Sequence, residues 1–179
     1  VDFEITLKPP CINKSDVKFS VKNGEIIFGL GAIKNVGMDV MSKIVENREN
    51  VGPFKDIFDF ARRVNLRKIG KRPMEMLIVS GAYDSFGLQK EAMLEKLEEL
   101  VNYSAACHEE NHSDQVNLFE DHTETLRKPK FFTENKWSFS QTVKEIHDVT
   151  GIYFVSPYKL HSDFYDSVGI KPYDTFEKT

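Results

Sequence analysis

The chain has 179 residues, of which 40% are hydrophobic and 29% charged, and its formal net charge is −4. These are ordinary globular values and argue against a disordered chain. The two cysteines, Cys11 and Cys107, lie far apart, which argues against a disulfide framework or a cysteine zinc site and makes a reducing, intracellular compartment the default. No apolar run approaches the ~20 residues that cross a bilayer, so no membrane partner is expected.

The first predicted element is a β-hairpin in residues 16–29. Two short β-prone runs flank Asn23 and Gly24, a pair that favours a type I′ turn because both central positions need positive φ. Lys8-Pro9-Pro10 precedes them and is expected to be extended, because a residue before proline disfavours the helical conformation.

Four helical stretches follow, each with apolar residues at helical spacing. They cover residues 38–48, 54–64, 73–81 and 88–107. Pro53 and Pro73 are expected to open the second and third helices, because proline is favoured at the first helical position. The polar residues 108–136 are predicted to form a flexible linker, and the sequence SFSQTVKEIHDV after Trp137 predicts one more helix.

The first candidate DNA site is the turn before the helix that begins at Met38. The residues assigned to it are Lys34, Asn35, Val36 and Gly37. A helix is expected to enter the turn through Ala32-Ile33-Lys34. Backbone N–H groups at the turn and at the next helix start would donate to a phosphate, with Gly37 permitting close approach and Lys34 adding charge. Such contacts position a duplex without reading bases, and the alternative is a plain turn between two helices.

The second candidate is the turn between the next two helices. From Arg62 to Arg72 the chain carries six basic side chains and no acidic one, whereas residues 91–124 carry ten acidic and one basic. The residues assigned to DNA contact are Arg67, Lys68, Gly70, Lys71 and Arg72. Two turns in tandem can contact phosphates on both sides of a groove. The alternative is an ordinary solvated basic loop opposite an ordinary acidic surface.

The third candidate is the peptide Gln115-Val116-Asn117-Leu118-Phe119 in the acidic linker. Leu118 and Phe119 would fill an apolar pocket on a partner, and the Gln115 amide would bond to its rim. The alternative is a segment that packs its two apolar residues within the chain. The nearby sequence His108-Glu109-Glu110-Asn111-His112 matches the zinc motif H-E-x-x-H, but it lacks apolar helical flanks, so solvated linker residues and no metal are predicted.

Taken in order, these phrases resemble the alpha subunit of bacterial DNA polymerase III. The matching phrases are PPCINKSDVKF, FGLGAIKNVG, GPFKDIFDFARRV, LRKIGKRPMEMLIVSGAYDSFG, QVNLF and VTGIYF. The sequence departs from the family pattern at Asn35, Gly70, Lys90 and Ser156-Pro157-Tyr158. Asn35 stands where the first turn usually has glycine, although asparagine tolerates positive φ.

The resemblance implies four units: residues 1–32 end a fingers region, 33–107 form a tandem helix-hairpin-helix DNA-binding domain, 108–136 form a linker with a clamp-binding motif at 115–119, and 137–179 lead towards an OB-fold. The fold class it implies is mainly α with a small N-terminal β-hairpin. The implied partners are duplex DNA, the sliding clamp (beta subunit) and other domains and subunits of the polymerase III holoenzyme, in the bacterial cytoplasm. The catalytic carboxylates, and the Mg²⁺ of the parent polymerase, would lie outside this chain.

The leading hypothesis is a non-catalytic processivity module of a DNA-directed DNA polymerase, which grips the DNA backbone and docks on the clamp. The chain begins at Val1 and ends at Lys178-Thr179 in mid-phrase, which suggests a piece of a longer protein. The main alternative is a structural helical module that packs on the rest of the polymerase and leaves DNA to other domains. A metal-dependent hydrolase built on His108 is the third hypothesis.

Overall fold

The computed structural model describes residues 6–110 and 127–155, and these residues form a mainly helical fold with one small sheet. Its elements are β1 (Leu7–Lys8), β2 (Ser20–Lys22), β3 (Glu25–Ile27), α1 (Met38–Val51), α2 (Ile57–Arg63), α3 (Leu66–Ile69), α4 (Lys71–Ser80), α5 (Lys90–Glu95), α6 (Leu97–Glu110) and α7 (Phe139–Thr150). Two single 3₁₀ turns occupy Leu30–Ala32 and Asp84–Phe86. The predicted fold class is therefore confirmed. The division into four units stays a prediction.

The predicted β-hairpin is present and supplies two of the three strands of the sheet. Strands β2 and β3 pair antiparallel, with Lys22 opposite Glu25, and the turn residues Asn23 and Gly24 have φ values of 55° and 78°. Both values are positive, as a type I′ turn requires. The sheet gains a third strand that the sequence did not predict, because β1 runs parallel to β3 with Leu7 opposite Ile26.

Two helices begin at residues other than the prolines that were expected to open them. Helix α2 begins after Asp56, whose carboxylate accepts a hydrogen bond from the Asp59 N–H over 2.6 Å. A carboxylate that accepts a hydrogen bond from the first turn stabilises a helix start, whereas a proline is merely compatible with one. The prediction that Pro53 opens this helix is therefore wrong. Helix α4 begins at Lys71, which makes Pro73 its third residue.

The stretch predicted as one helix over 88–107 is two helices. Helix α5 ends at Glu95, and α6 starts at Leu97 after Lys96, whose φ and ψ are −101° and 11°. The predicted helix after Trp137 is confirmed as α7. The Ser138 hydroxyl accepts from the Gln141 N–H over 3.1 Å at its start, and Gly151, with φ of 73°, ends it.

The centre of the core contains a cluster of aromatic rings. Phe54, Phe60 and Tyr83 are at most 2% exposed. The rings of Phe54 and Phe60 lie 5.0 Å apart, and those of Phe60 and Tyr83 lie 5.3 Å apart, both edge to face. Aromatic pairs of this geometry add about 0.5–1.5 kcal/mol each beyond their area burial. The same cluster includes Ile12 and Phe28 from the N-terminal part of the chain.

A buried arginine joins that N-terminal part to α1. The Arg48 guanidinium donates to the carbonyls of Ile12 (3.0 Å) and Ser15 (2.7 Å) and lies 3.4 Å from the Asp16 carboxylate. Burial opposes ionisation of Asp16, but the hydrogen bond from Lys22 and the charges of Lys22 and Arg48 outweigh it and lower the pKa of that carboxyl. The loop before β2 is thereby held against the helix that follows the first candidate turn.

Within the described ranges, none of the helices has the length and apolar character needed to cross a membrane.

Candidate nucleic-acid interface

The first turn differs from the predicted one in how it enters. The expected helix through Ala32-Ile33-Lys34 is only the 3₁₀ turn Leu30–Ala32, after which Ile33 is extended. The left-handed residue is Asn35, with φ of 59°, whereas Gly37 has an ordinary φ of −75°. A Cβ on Gly37 would meet nothing closer than 3.9 Å. The conformation of the turn therefore depends on the asparagine rather than on this glycine.

Some backbone donors of this turn are occupied within the protein. The Lys34 N–H donates to the carbonyl of Val149 in α7 over 2.9 Å, and the Val36 N–H donates to Ile33 over 3.2 Å. The start of α1 has no side-chain cap from Gly37, so its first N–H groups remain available. Asp39 lies exposed in that first turn, and its carboxylate already complements the helix dipole and would repel a phosphate.

The second turn has the stronger anion-binding geometry. Gly70 has φ of 93° and ψ of 152°, which only glycine adopts readily, and it both ends α3 and begins α4. Helix α4 has no side-chain cap and no acidic residue in its first turn, where Lys71 and Arg72 are exposed. Pro73 has no N–H, so Lys71 and Arg72 carry the unpaired amides. Cations at a helix N-terminus oppose the dipole, and a bound anion would relieve that repulsion.

The six cations of the basic block divide into two groups. Arg63 is a structural residue: its guanidinium donates to the carbonyls of Asn47 (3.1 Å) and Gly52 (2.8 Å) and lies 4.2 Å from the centre of the Phe54 ring. Arg62 donates to the Tyr103 hydroxyl over 3.3 Å. Arg62 is nevertheless exposed, and the other exposed cations of the block are Arg67, Lys68, Lys71 and Arg72.

These exposed cations do not converge on one surface. Arg72 shares a groove of about 420 Å³ with Lys34 of the first turn. Arg67 and Lys71 line a second cleft, together with Glu98. Lys68 lines a third cleft with Lys43 of α1, which sequence reasoning missed because the two lysines meet only through the fold. The Lys34–Arg72 groove is thus the place where the two predicted turns come together.

Carboxylates moderate the positive charge around the two turns. Glu75, Glu145 and Asp148 line the Lys34–Arg72 groove. Arg72 pairs with Glu75 over 3.1 Å, and Arg67 pairs with Glu109 over 2.9 Å. Exposed ion pairs of this kind contribute about 0–1 kcal/mol, so a phosphate can displace them. In the described part of the chain, Lys68 and Lys71 have no ion-pair partner.

The remaining candidate residues lie mostly outside the described structure. Gln115, Leu118 and Phe119 fall between residues 110 and 127, so the clamp-binding motif stays a prediction. His108 is on the last turns of α6, and His112 lies outside the described residues. Over residues 6–110 and 127–155, no group of three or more His, Cys, Asp or Glu side chains is placed to hold a metal ion.

Comparison with known families agrees with the two turns. Residues 4–93 match the family described as "Helix-hairpin-helix motif". The chain belongs to this helix-hairpin-helix family.

Individual relatives narrow the comparison to one kind of protein. The chain is 34% identical over 151 residues to DNA polymerase III subunit alpha of Caulobacter vibrioides, covering 84% of this chain and 13% of that protein. It is 32% identical over 174 residues to the same subunit of Pasteurella multocida, covering 93% of this chain and 15% of that protein. It is 41% identical over 115 residues to the subunit of Thermus aquaticus, covering 64% of this chain and 9% of that protein. The predicted resemblance to a segment of DNA polymerase III subunit alpha is confirmed. The chain spans only 9–15% of the length of these three curated relatives.

Proposed function

We propose that this chain binds the phosphate backbone of duplex DNA without sequence preference, as a non-catalytic segment of a DNA polymerase III alpha subunit. The observation that carries the proposal is the start of α4. There Gly70 offers no side-chain cap, no acidic residue lies in the first turn, and Lys71 and Arg72 stand exposed. A helix start with unpaired amides and two cations is suited to a phosphate oxygen.

The groove between the turns gives the proposed contact a second point. Lys34 and Arg72 line the same groove, so a phosphate contact at the second turn brings the first turn close to the duplex. Backbone amides and flexible cations fix the position of a duplex and carry no base information. Binding without sequence preference follows from this donor set.

The wider role rests on the resemblance and belongs to the same proposal. The parent protein would be a Mg²⁺-dependent DNA polymerase of the bacterial cytoplasm, with its catalytic carboxylates elsewhere. Gln115, Leu118 and Phe119 would dock on the sliding clamp, which would keep the polymerase on its template. Two linked weak contacts, one to DNA and one to the clamp, give avidity that neither supplies alone.

One observation favours the alternative of a structural module that packs on the rest of a polymerase. The Lys34–Arg72 groove contains Glu145 and Asp148 from α7, which would repel a phosphate. The two functions differ in whether the chain binds duplex DNA at low salt.

The test is duplex binding as a function of salt concentration. We expect the logarithm of the binding constant to fall linearly with log salt, with a slope of about −0.9 for each phosphate neutralised. Replacement of Arg67, Lys68, Lys71 and Arg72 by Ala should weaken binding similarly for all sequences and flatten that slope. A matched control replaces Lys14, Lys18, Lys55 and Lys136, which are exposed and lie outside the two turns. Equal loss in both variants, or no loss in the first, contradicts the proposal.

A further inference from the structure

A third cleft, distinct from the Lys34–Arg72 groove, opens between α1 and α3 and has a volume of about 360 Å³. Its polar lining consists of Lys43, Asn47, Arg63, Asn65, Lys68 and His108. No carboxylate of the described residues lines it. The cleft is thus lined by three cations and by no acid of the described residues, although the protein has a net charge of −4.

The two asparagine amides are fixed so that only donors remain. The Asn47 Oδ1 accepts from the Arg63 Nε–H over 2.9 Å, and the Asn65 Oδ1 accepts from the backbone N–H of Arg67 over 3.1 Å. Both partners can only donate, so the oxygen of each amide is assigned and its NH₂ group is left over. Neither NH₂ group has a partner among the residues described.

The two lysines of the cleft are also available to bind a ligand. Lys43 and Lys68 are exposed, and no ion pair within the described ranges involves either of them. The Nε2 atom of His108 is buried and has no hydrogen-bond partner there. A buried ring nitrogen without a partner is costly, and the described residues offer none to it. Arg63 differs, because carbonyls and the Asp59 carboxylate, 3.3 Å away, already occupy it.

We propose that this cleft binds a phosphate group. Lys43 and Lys68 would supply the charge, and the NH₂ groups of Asn47 and Asn65 would supply donors that α1 and the α2–α3 turn hold in place. A phosphate has several acceptor oxygens, so it can accept hydrogen bonds from donors that lie on separate elements of the cleft. Lysine is also a common phosphate ligand. The phosphate can belong to a free nucleotide or to a nucleic-acid strand. The site is separate from the start of α4 and goes beyond the proposed backbone contact.

Titration with inorganic phosphate at constant ionic strength tests the site directly. We expect saturable NMR shifts at the side-chain amides of Asn47 and Asn65. Lys43→Gln with Lys68→Gln should weaken phosphate binding by at least about 10-fold, because charge-assisted hydrogen bonds are lost. The matched control, Lys18→Gln with Lys55→Gln, removes the same charge from exposed positions outside the cleft and should bind as the parent does. Non-saturating shifts, or equal affinity in the first variant, would overturn the proposal.

Competition identifies the source of the phosphate. Displacement of inorganic phosphate by a deoxynucleoside 5′-monophosphate supports a nucleotide site, and displacement by duplex DNA alone supports a strand phosphate. Failure of both to compete contradicts the site. The variant Lys71→Gln with Arg72→Gln should lose duplex affinity yet keep phosphate binding in the cleft. That result separates this proposal from the proposed function, and loss of phosphate binding in that variant would overturn the assignment of the phosphate to the cleft between α1 and α3.

Discussion

The backbone N–H of Lys34 donates a hydrogen bond to the carbonyl of Val149 over 2.9 Å, across 115 residues of sequence. The bond attaches the first turn to the C-terminal end of α7. That end carries the negative pole of the helix dipole, which would repel a phosphate. At Lys34, the turn that was predicted to face DNA therefore faces the carbonyls at the end of a helix. In the described residues, the backbone N–H groups of Gly70, Lys71 and Arg72 in the second turn make no such bond to a distant helix.

Amide exchange should report this attachment. We expect the Lys34 amide to exchange more slowly than those of Asn35 and Gly37, and Val149→Ala to speed its exchange. Val149 is 7% exposed, and its truncation should cost about 1–3 kcal/mol of unfolding free energy. Val21→Ala, at a position 72% exposed, is the control and should cost less than about 0.5 kcal/mol. Equal exchange rates at the three turn amides would contradict the attachment.

The two turn glycines should respond differently to alanine. Gly70 has φ of 93°, so Gly70→Ala should lower the unfolding free energy by about 1–3 kcal/mol through backbone strain. Gly37 has φ of −75° and open space around its Cα, so Gly37→Ala should cost less than about 1 kcal/mol. Chemical denaturation of the two variants measures the difference. A larger loss at Gly37 would show that the geometry of the turns is misassigned.

Acid should weaken the fold through Asp16. Its pKa in the folded protein lies below the ordinary value of 3.8, so its ionised form stabilises the fold. The contribution is full above that ordinary value and is lost as pH falls through the lowered pKa, that is, below about pH 4. Asp16→Asn should therefore reduce the loss of thermal stability between pH 5 and pH 2. An unchanged pH profile in the variant would rule out this carboxylate as a contributor.

The clamp-binding motif can be tested in the whole chain. Leu118→Ala with Phe119→Ala should abolish binding to the sliding clamp and leave thermal stability nearly unchanged. Burial of Leu and Phe contributes roughly 1.5–3 kcal/mol each, and ordering costs offset much of it, so micromolar affinity is expected for a short peptide. Val116→Ala with Asn117→Ala is the matched control. A large drop in melting temperature for the first variant would mean that Leu118 and Phe119 are core residues.

The sequence predicted the helices and the hairpin because each is specified by residues that are close together in the chain. Asn23-Gly24 specifies the turn, and apolar spacing specifies α1 and α7. The prediction failed where one signal competed with another, as when the carboxylate of Asp56 rather than Pro53 set the start of α2. Strand β1 was missed because a two-residue strand has no period of its own.

The sequence predicted which basic residues belong to the candidate site but not how the fold arranges them in space. The block from Arg62 to Arg72 suggested one basic surface, yet the fold directs Lys68 towards Lys43 and Arg72 towards Lys34. Pairs such as Lys34 and Val149 depend on how distant helices pack, and no local pattern encodes that.

Arg63 has a consequence for mutagenesis of the basic block. Its guanidinium donates to the carbonyls of Asn47 in α1 and of Gly52 just after α1, it lies over the Phe54 ring, and its side chain is only 14% exposed. Removing it would leave those carbonyls unbonded beside the core and would loosen the junction between α1 and α2. A charge-removal survey that scores only DNA retention would therefore rank Arg63 as a leading DNA ligand, when the lost affinity would come from a damaged scaffold. Lys71 and Arg72, which are exposed at the start of α4, would give the true measure of the electrostatic contact there.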